Sequence, residues 1–292
     1  MTLSTKYPTN PVASQRHVII NVDDLGLSNA VNEAVIALGG MRHIRSTSYM
    51  AGGEISDSQI RSLTALDIDI GLHLDFTAIY PSSIKNSLSA IIIASYLRRL
   101  KRHEIIDIIH RQLDGFEDRF NQHPVFIDGH QHVHQFPVVR DCLATVLKDR
   151  YAVSNRAQPY VAARITTPLV NDMKSWIIYI LGGHAWKQLC QHSGIHTNLC
   201  FGGAYDFDAS QDKLAKLWDG WLSRCPKSTE VKNNDATITH RTRLPLIMCH
   251  PAIPDNNWQD EIKDAREQEY QWLISDAFAA LCKKYAVRSV GW

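Results

Sequence analysis

The sequence has almost no net charge, no cysteine framework and no apolar run long enough to cross a bilayer. Its 31 Lys and Arg against 30 Asp and Glu leave a formal charge of +1, which gives no electrostatic case for nucleic acid or an anionic membrane as partner. The six cysteines, Cys142, Cys190, Cys200, Cys225, Cys249 and Cys282, form no C-x-x-C pair and read as reduced thiols of a cytoplasmic protein. No stretch approaches the roughly 20 apolar residues of a spanning helix, so stable membrane insertion is not expected. Residues 1–16 are polar, carry Pro8 and Pro11 and lack the apolar region of a secretory signal; they read as a disordered lead-in. No internal repeat is visible.

What is present is alternation. Short apolar runs of the kind buried parallel strands show are separated by segments of helical period. Val18–Val22 is the first run, followed by a helix capped by Ser28 or Asn29 and closed by Gly39-Gly40. Ser46–Met50 and Asp69–Leu74 read as the next strands, with a helix from about Ser56 to Leu66 between them. Ile105, Ile109, Leu113, Phe116 and Phe120 mark a further helix by their spacing of three and four. A fourth strand, Val125–Ile127, precedes a helix opening near Pro137. A fifth strand is expected to end at Asn155-Arg156, and a sixth spans His196–Cys200.

Residues 168–192 are helical but broken at Gly182-Gly183. Leu214–Leu222 is a helix on which Trp218 and Trp221 read as packing residues, with a sugar-stacking platform as the alternative. Leu244–Cys249 is a strand, followed by one long helix over residues 259–284 and a last strand over 286–291. The pattern predicts an α/β fold built on a parallel sheet or barrel. One domain over residues 17–292 accommodates it, with insertions near 77–100 and 227–243. The apolar run Trp176–Leu181 reads as core or as an oligomer contact, as in a homodimer, with a membrane anchor and a lid touching a lipid-linked substrate as the alternatives.

The residues with chemistry fall at the carboxyl ends of these strands: Asp23 and Asp24, His73, Asp128-Gly129-His130-Gln131-His132-Val133-His134, Arg156, and His250 before Pro251. In a parallel α/β fold those ends share one rim, where active sites are built. Each has a plain alternative. Asp23-Asp24 could cap the following helix, and His73 or His250 could be a hydrogen-bonded core histidine. A strand period of two would put Asp128, His130, His132 and His134 on one side. A carboxylate and two histidines with open positions suit zinc or a related divalent ion. The remaining carboxylate and histidine then suit a general base and acid.

Ile20-Asn21-Val22-Asp23-Asp24-Leu25-Gly26-Leu27-Ser28, with Asn32, resembles the opening motif of the YdjC-like carbohydrate deacetylases, the chitooligosaccharide and hopanoid-associated deacetylases among them. Four segments match in order: Ser46–Met50, Gly71–Leu74, Asp128–His134 and Met248–Pro251. Arg266 and Glu269 resemble a further Arg-Glu segment. The likeness covers residues 17–290. Leu25 stands where the family often has phenylalanine, and Leu246 where glutamate is common.

The resemblance implies an irregular (β/α) TIM-like barrel of parallel strands with one divalent metal, Mg2+ or Zn2+, held by Asp24, His73 and His130, with Asp23 as base and His250 as acid. The choice of His130 over His132 and His134 comes from the resemblance alone. His132, His134 and Asp128 are then expected to touch substrate or orient the ligands, and Arg156 to hold Asp23 or a substrate oxygen. The implied reaction is hydrolysis of an N-acetylated sugar. A metal-dependent phosphoesterase, another amidohydrolase on the same barrel and a non-catalytic sugar-binding protein are the competing readings.

Overall fold

Strand β1 (Arg16–Leu25) runs through the middle of the sheet because both of its faces are apolar enough to be covered: Val18, Ile20, Val22 and Leu25 belong to the main core, and Ile19 to a second cluster with Phe201, Leu246 and Met248. The computed structural model describes residues 15–151, 160–208, 210–227 and 243–292. Its other strands are β2 (Ser46–Tyr49), β3 (Asp69–Leu74), β4 (Phe126–Gly129), β5 (Ala162–Ala163), β6 (Phe201–Gly202), β7 (Leu246–Cys249) and β8 (Val287–Ser289). The order is β5-β4-β3-β2-β1-β7-β6, every ladder is parallel, and β8 pairs with the start of β1. The sheet curls into an irregular barrel, with isolated bridges from Ala163 to Thr197 and from Pro168 to Phe201 between its two ends. All strands therefore finish on one rim.

Helices α1 (Asn29–Gly40), α2 (Asp57–Ala65), α3 (Leu88–Tyr96), α4 (Arg102–Phe120) and α5 (Val139–Tyr151) surround the first half of the sheet. The five residues whose spacing marks α4 are all buried. Ser28, not Asn29, caps α1, accepting from the Val31 amide. The 77–100 insertion is pinned where it leaves β3: the buried Asp75 carboxylate accepts the backbone N–H groups of Thr77, Ala78, Ile79 and Tyr80.

The second half departs from expectation in three places. Tyr151 is the last residue of α5, so no strand begins there; β5 lies at Ala162–Ala163, and Arg156 lies outside the described residues, as does most of the 227–243 insertion. The sixth strand is Phe201–Gly202, with only a bridge at Thr197 inside the expected segment. The long C-terminal helix is two, α9 (Lys263–Leu273) and α10 (Asp276–Lys284), because Ser275 turns its hydroxyl onto the Phe278 amide and starts a new helix. Between α5 and α9 in the chain lie α6 (Met173–Ile178), α7 (His184–His192) and α8 (Gln211–Arg224). Trp176, Ile177 and Ile180 stand exposed on α6 and the turn after it, so the reading of Trp176–Leu181 as core fails for these side chains. Gly182 breaks α6 from α7 at φ +150°, where a Cβ would meet the Gln135 carbonyl oxygen at 2.4 Å. Trp218 and Trp221 are buried and pack edge to face, as expected.

Helices α4 and α5 are joined by Glu117, which accepts from Arg150 (2.6 Å), His123 (2.9 Å) and the Tyr151 hydroxyl. Burial alone would raise this carboxyl, but those hydrogen bonds outweigh it and bring its pKa to about 2. A carboxyl depressed on folding stabilises fully above its unfolded value of 4.5 and loses that contribution as pH falls toward 2. Urea melts at pH 6 and pH 3 should show wild type losing more stability between them than Glu117→Gln.

Candidate metal centre and its pocket

Consecutive residues of a strand point to opposite faces, yet the carboxylates of Asp23 and Asp24 both serve one site. The β1–β2 register shifts between Val22 and Leu25, and Asp24 adopts φ +68°. This bulge, in a left-handed conformation that aspartate tolerates better than most residues, turns the second carboxylate back toward the rim. The following turn is held by Asn32, which accepts the Gly26 amide at 2.8 Å and donates to the Glu54 carbonyl at 2.8 Å.

Asp24 Oδ1 lies 3.2 Å from His73 Nε2 and 3.0 Å from His130 Nδ1, and one donor atom from each residue falls within 4.8 Å of the others. Ligands about 2.1 Å from one ion stand about 3.0 Å apart in octahedral and about 3.4 Å in tetrahedral coordination, so the two distances from Asp24 suit a shared divalent cation. Asp24 Oδ2 accepts from Arg266 at 2.7 Å, and His73 Nδ1 pairs with Asp128 Oδ1 at 2.6 Å. That leaves Nε2 of His73 to face the ion, the carboxylate–histidine arrangement common behind metal ligands.

The electrostatics agree. Burial disfavours a charged His73, but the Asp128 carboxylate and the hydrogen bond to Asp24 outweigh it and raise the ring to about 10. Burial likewise works against an ionised Asp24, and the charges of Arg266 and His130 overcome it, holding that carboxyl well below its usual range. A pocket that draws a proton so strongly to this point is one a cation can occupy in the proton's place. A second cluster, Asp23 with His73 and Asp128, has similar spacing, but its charge is already answered by a guanidinium.

That guanidinium is Arg164. Its two terminal nitrogens fork onto Asp23 at 2.7 and 2.6 Å, and Nη2 also lies 2.5 Å from Asp128 Oδ2. Asn21 donates to Asp23 at 2.7 Å. Burial raises Asp23, but Arg164 outweighs it and keeps the carboxyl ionised. His250 stands at the end of β7, its Nε2 3.8 Å from Asp23 Oδ2 and its ring edge-on to Phe207. Burial lowers it to about 4, so it is neutral at pH 7. Its backbone N–H donates to Glu269, which also accepts from the Tyr205 hydroxyl and is raised by burial to about 7.

Asp23, Asp24, His130, His250 and Arg266 line the floor of a cavity of about 340 Å³ on the rim, whose walls are apolar: Leu88, Ile92, Phe136, Ile178, Leu181 and Phe207. The profile of the YdjC-like protein family matches residues 17–284. The chain belongs to the YdjC-like family. A chitooligosaccharide deacetylase of Salmonella paratyphi C is 28% identical over 256 residues, covering 83% of this chain and 84% of its own length; one from Salmonella newport is 28% identical over 255 residues with the same coverage. Among solved structures, an Enterococcus faecalis protein named for cellobiose-phosphate cleavage superposes with a TM-score of 0.66 at 17% identity, covering 95% of this chain and 98% of that one. That identity speaks to the fold alone.

Within this YdjC-like site, one prominent sequence pattern does not hold. The strand ends at Gly129, and His130–Gln135 winds into a 3-10 turn with Gln131 and His132 at positive φ. The alternation that would align Asp128, His130, His132 and His134 therefore stops after the first residue. His130 reaches Asp24. His132 lines the cavity against Phe201. His134 is buried behind it, Nε2 3.1 Å from the Arg164 carbonyl oxygen and the ring lowered to about 4 by burial; it braces β5. Asp128 touches His73 and Arg164.

The role expected of Arg156, holding Asp23, is filled by Arg164. Its signal was available in part: Val161-Ala162-Ala163 is a short apolar run ending in a charged residue, the same pattern that drew attention to Asp23. Arg266 and Glu269, noted only through the resemblance, sit against Asp24 and His250.

Proposed function

We propose that this chain is a metal-dependent hydrolase that removes the N-acetyl group of an amino sugar or oligosaccharide, releasing acetate and a free amine. The observation that carries it is the convergence of Asp24, His73 and His130 on one point beside an ionised Asp23. The names of the Salmonella relatives support the choice of bond.

A divalent ion held by those three residues would polarise the amide carbonyl and lower the pKa of water, toward about 7 for zinc. Asp23, kept ionised by Arg164, takes the proton from water as its oxygen bonds to the acyl carbon. His250 starts neutral, so it cannot donate until it has received a proton, and Asp23 Oδ2 is 3.8 Å from its Nε2. As the C–N bond breaks, His250 hands a proton to the leaving nitrogen. Glu269 fixes the His250 backbone throughout.

The test is a panel of N-acetylated mono- and oligosaccharides beside model phosphate esters, scored for acetate and phosphate, with elemental analysis of the purified protein. Acetate release that a chelator abolishes and a divalent metal restores is expected. Phosphate without acetate would make the chain a phosphoesterase, and bound metal with neither product a sugar-binding protein. His250→Asn should slow amide cleavage by roughly 10²-fold or more but spare an activated acetyl ester, whose leaving group needs no proton. Equal losses on both would remove His250 from the acid role.

A further inference from the structure

Ile19, Asn21 and Asp23 share one face of β1, the face that carries the site. Ile19 belongs to an apolar cluster and Asp23 to the rim, so Asn21 is a wholly buried amide between the two. Its Nδ2 donates to Asp23 Oδ1 at 2.7 Å and to Ser48 Oγ at 3.2 Å, and its Oδ1 accepts from Ser46 Oγ at 2.5 Å. Ser46 lies directly opposite Asn21 in the β1–β2 register and is also wholly buried. Its hydroxyl accepts in turn from the indole Nε1–H of Trp292 at 3.1 Å. Three hydrogen bonds in series therefore join Trp292 to the carboxylate of Asp23.

Trp292 is anchored independently of that series. Its ring stacks on Phe126 with centroids 4.5 Å apart and planes at 16°, and it packs against the apolar cluster of Ile19, Phe201, Leu246 and Met248. Its backbone N–H donates to Asp69 Oδ2 at 2.7 Å. Residue 71 has to be glycine for the stack to form, because a Cβ there would fall 2.5 Å from the Phe126 ring. Ser46 and Asp69 open β2 and β3, so Trp292 sits at the end of the barrel opposite the rim. The direction of the series follows from what each group can do. An indole N–H only donates, a hydroxyl donates once and also accepts, and a side-chain amide can face either way. With Trp292 donating to it, Ser46 gives its single proton to Asn21 Oδ1. Asn21 then has only its NH2 group to offer Asp23. The reversed amide would set an oxygen against the carboxylate.

We infer that Trp292 is a positioning residue for Asp23: from the far end of the barrel its indole N–H orients Ser46 and Asn21, and so keeps an N–H donor on the carboxylate that takes the proton from water. This rests on the reading of the site as a deacetylase. Arg164 supplies the counter-charge of Asp23, and the series through Asn21 fixes how Oδ1 is held. Without the indole N–H, a water in its place can donate or accept, and the amide is free to turn.

Trp292→Phe keeps a ring for Phe126 and removes only the donor. Its kcat on the best N-acetylated sugar of the panel should fall about fivefold, the net worth of one hydrogen bond. KM, metal content and circular dichroism should not change. Ser46→Ala should lose about as much, and the double variant no more than the larger single loss, because both break the same link. Phe126→Leu removes the stack and leaves the donor, so it should lower the melting temperature and spare kcat. A second readout needs no turnover. In isotope-labelled protein the NMR signal of the Trp292 indole N–H, assigned by its loss in Trp292→Phe, should move upfield in Asp23→Asn, which weakens the acceptor at the far end. Ser46→Ala should abolish that response. Unchanged kcat in Trp292→Phe, losses that multiply in the double variant, an equal loss of kcat in Phe126→Leu, or an indole signal blind to Asp23→Asn would overturn the proposal. If wild type releases no acetate from any sugar, the deacetylase reading fails, and the indole signal still decides whether Trp292 and Asp23 are coupled.

Discussion

Asp23→Asn should lower turnover of an N-acetyl amino sugar by roughly 10²–10⁴-fold and leave the metal content of the protein unchanged. The amide is nearly the same shape, so Asn21 and Arg164 keep a neighbour of similar size, and Asp24, His73 and His130 are untouched. What disappears is the capacity to accept a proton. The wild-type carboxylate is anionic at neutral pH because two nitrogens of a buried guanidinium lie at 2.7 and 2.6 Å from its oxygens. The loss should fall on kcat, since a base acts in the transition state and not in binding. A metal-loaded, folded Asp23→Asn enzyme with near wild-type kcat would remove Asp23 from the mechanism.

Arg164→Met should cost about 3–5 kcal/mol of stability, because removing one partner of a buried ion pair strands the other. Here Asp23 is stranded and Asp128 keeps only His73 at 2.6 Å, with the side chains of Arg164 and Asp128 0% exposed and that of Asp23 3%. The pH dependence follows from the sign. Without the cation, burial raises the Asp23 carboxyl, so the folded variant binds more protons than its unfolded chain and its deficit grows as pH rises. Arg164→Lys should fall between, since a point charge cannot fork onto Asp23 and still reach Asp128. Denaturant midpoints at pH 5 and pH 8 measure all three proteins. A methionine variant within about 1 kcal/mol of wild type at both would mean that this pair is not held by a buried counter-charge.

Much of the site was legible because it sits where strands end. Asp23, Asp24, His73, Asp128 and His250 each follow an apolar run, and that common position made them candidates before any geometry was known. Arg164 escaped because β5 is two residues long, too short to give a periodic signal. The four-residue alternation through Asp128–His134 misled for a related reason: period two holds only while the chain is extended, and here it stops at Gly129. The single long C-terminal helix was an error of the same type, since apolar spacing continues across Ser275 although the backbone does not.

Composition and pattern alone determined a parallel α/β fold, sheet or barrel, with acidic and imidazole groups at its strand ends, because burial of strands and helices imposes periods that any reader of the residues can count. Which of those groups meet was decided only in three dimensions. A bulge at Asp24 reverses one side chain, a turn after Gly129 sends His130 and His134 to different neighbours, and a guanidinium 141 residues from Asp23 supplies its counter-charge. Such contacts depend on local backbone torsion and on distant partners. Neither leaves a repeating mark in the sequence.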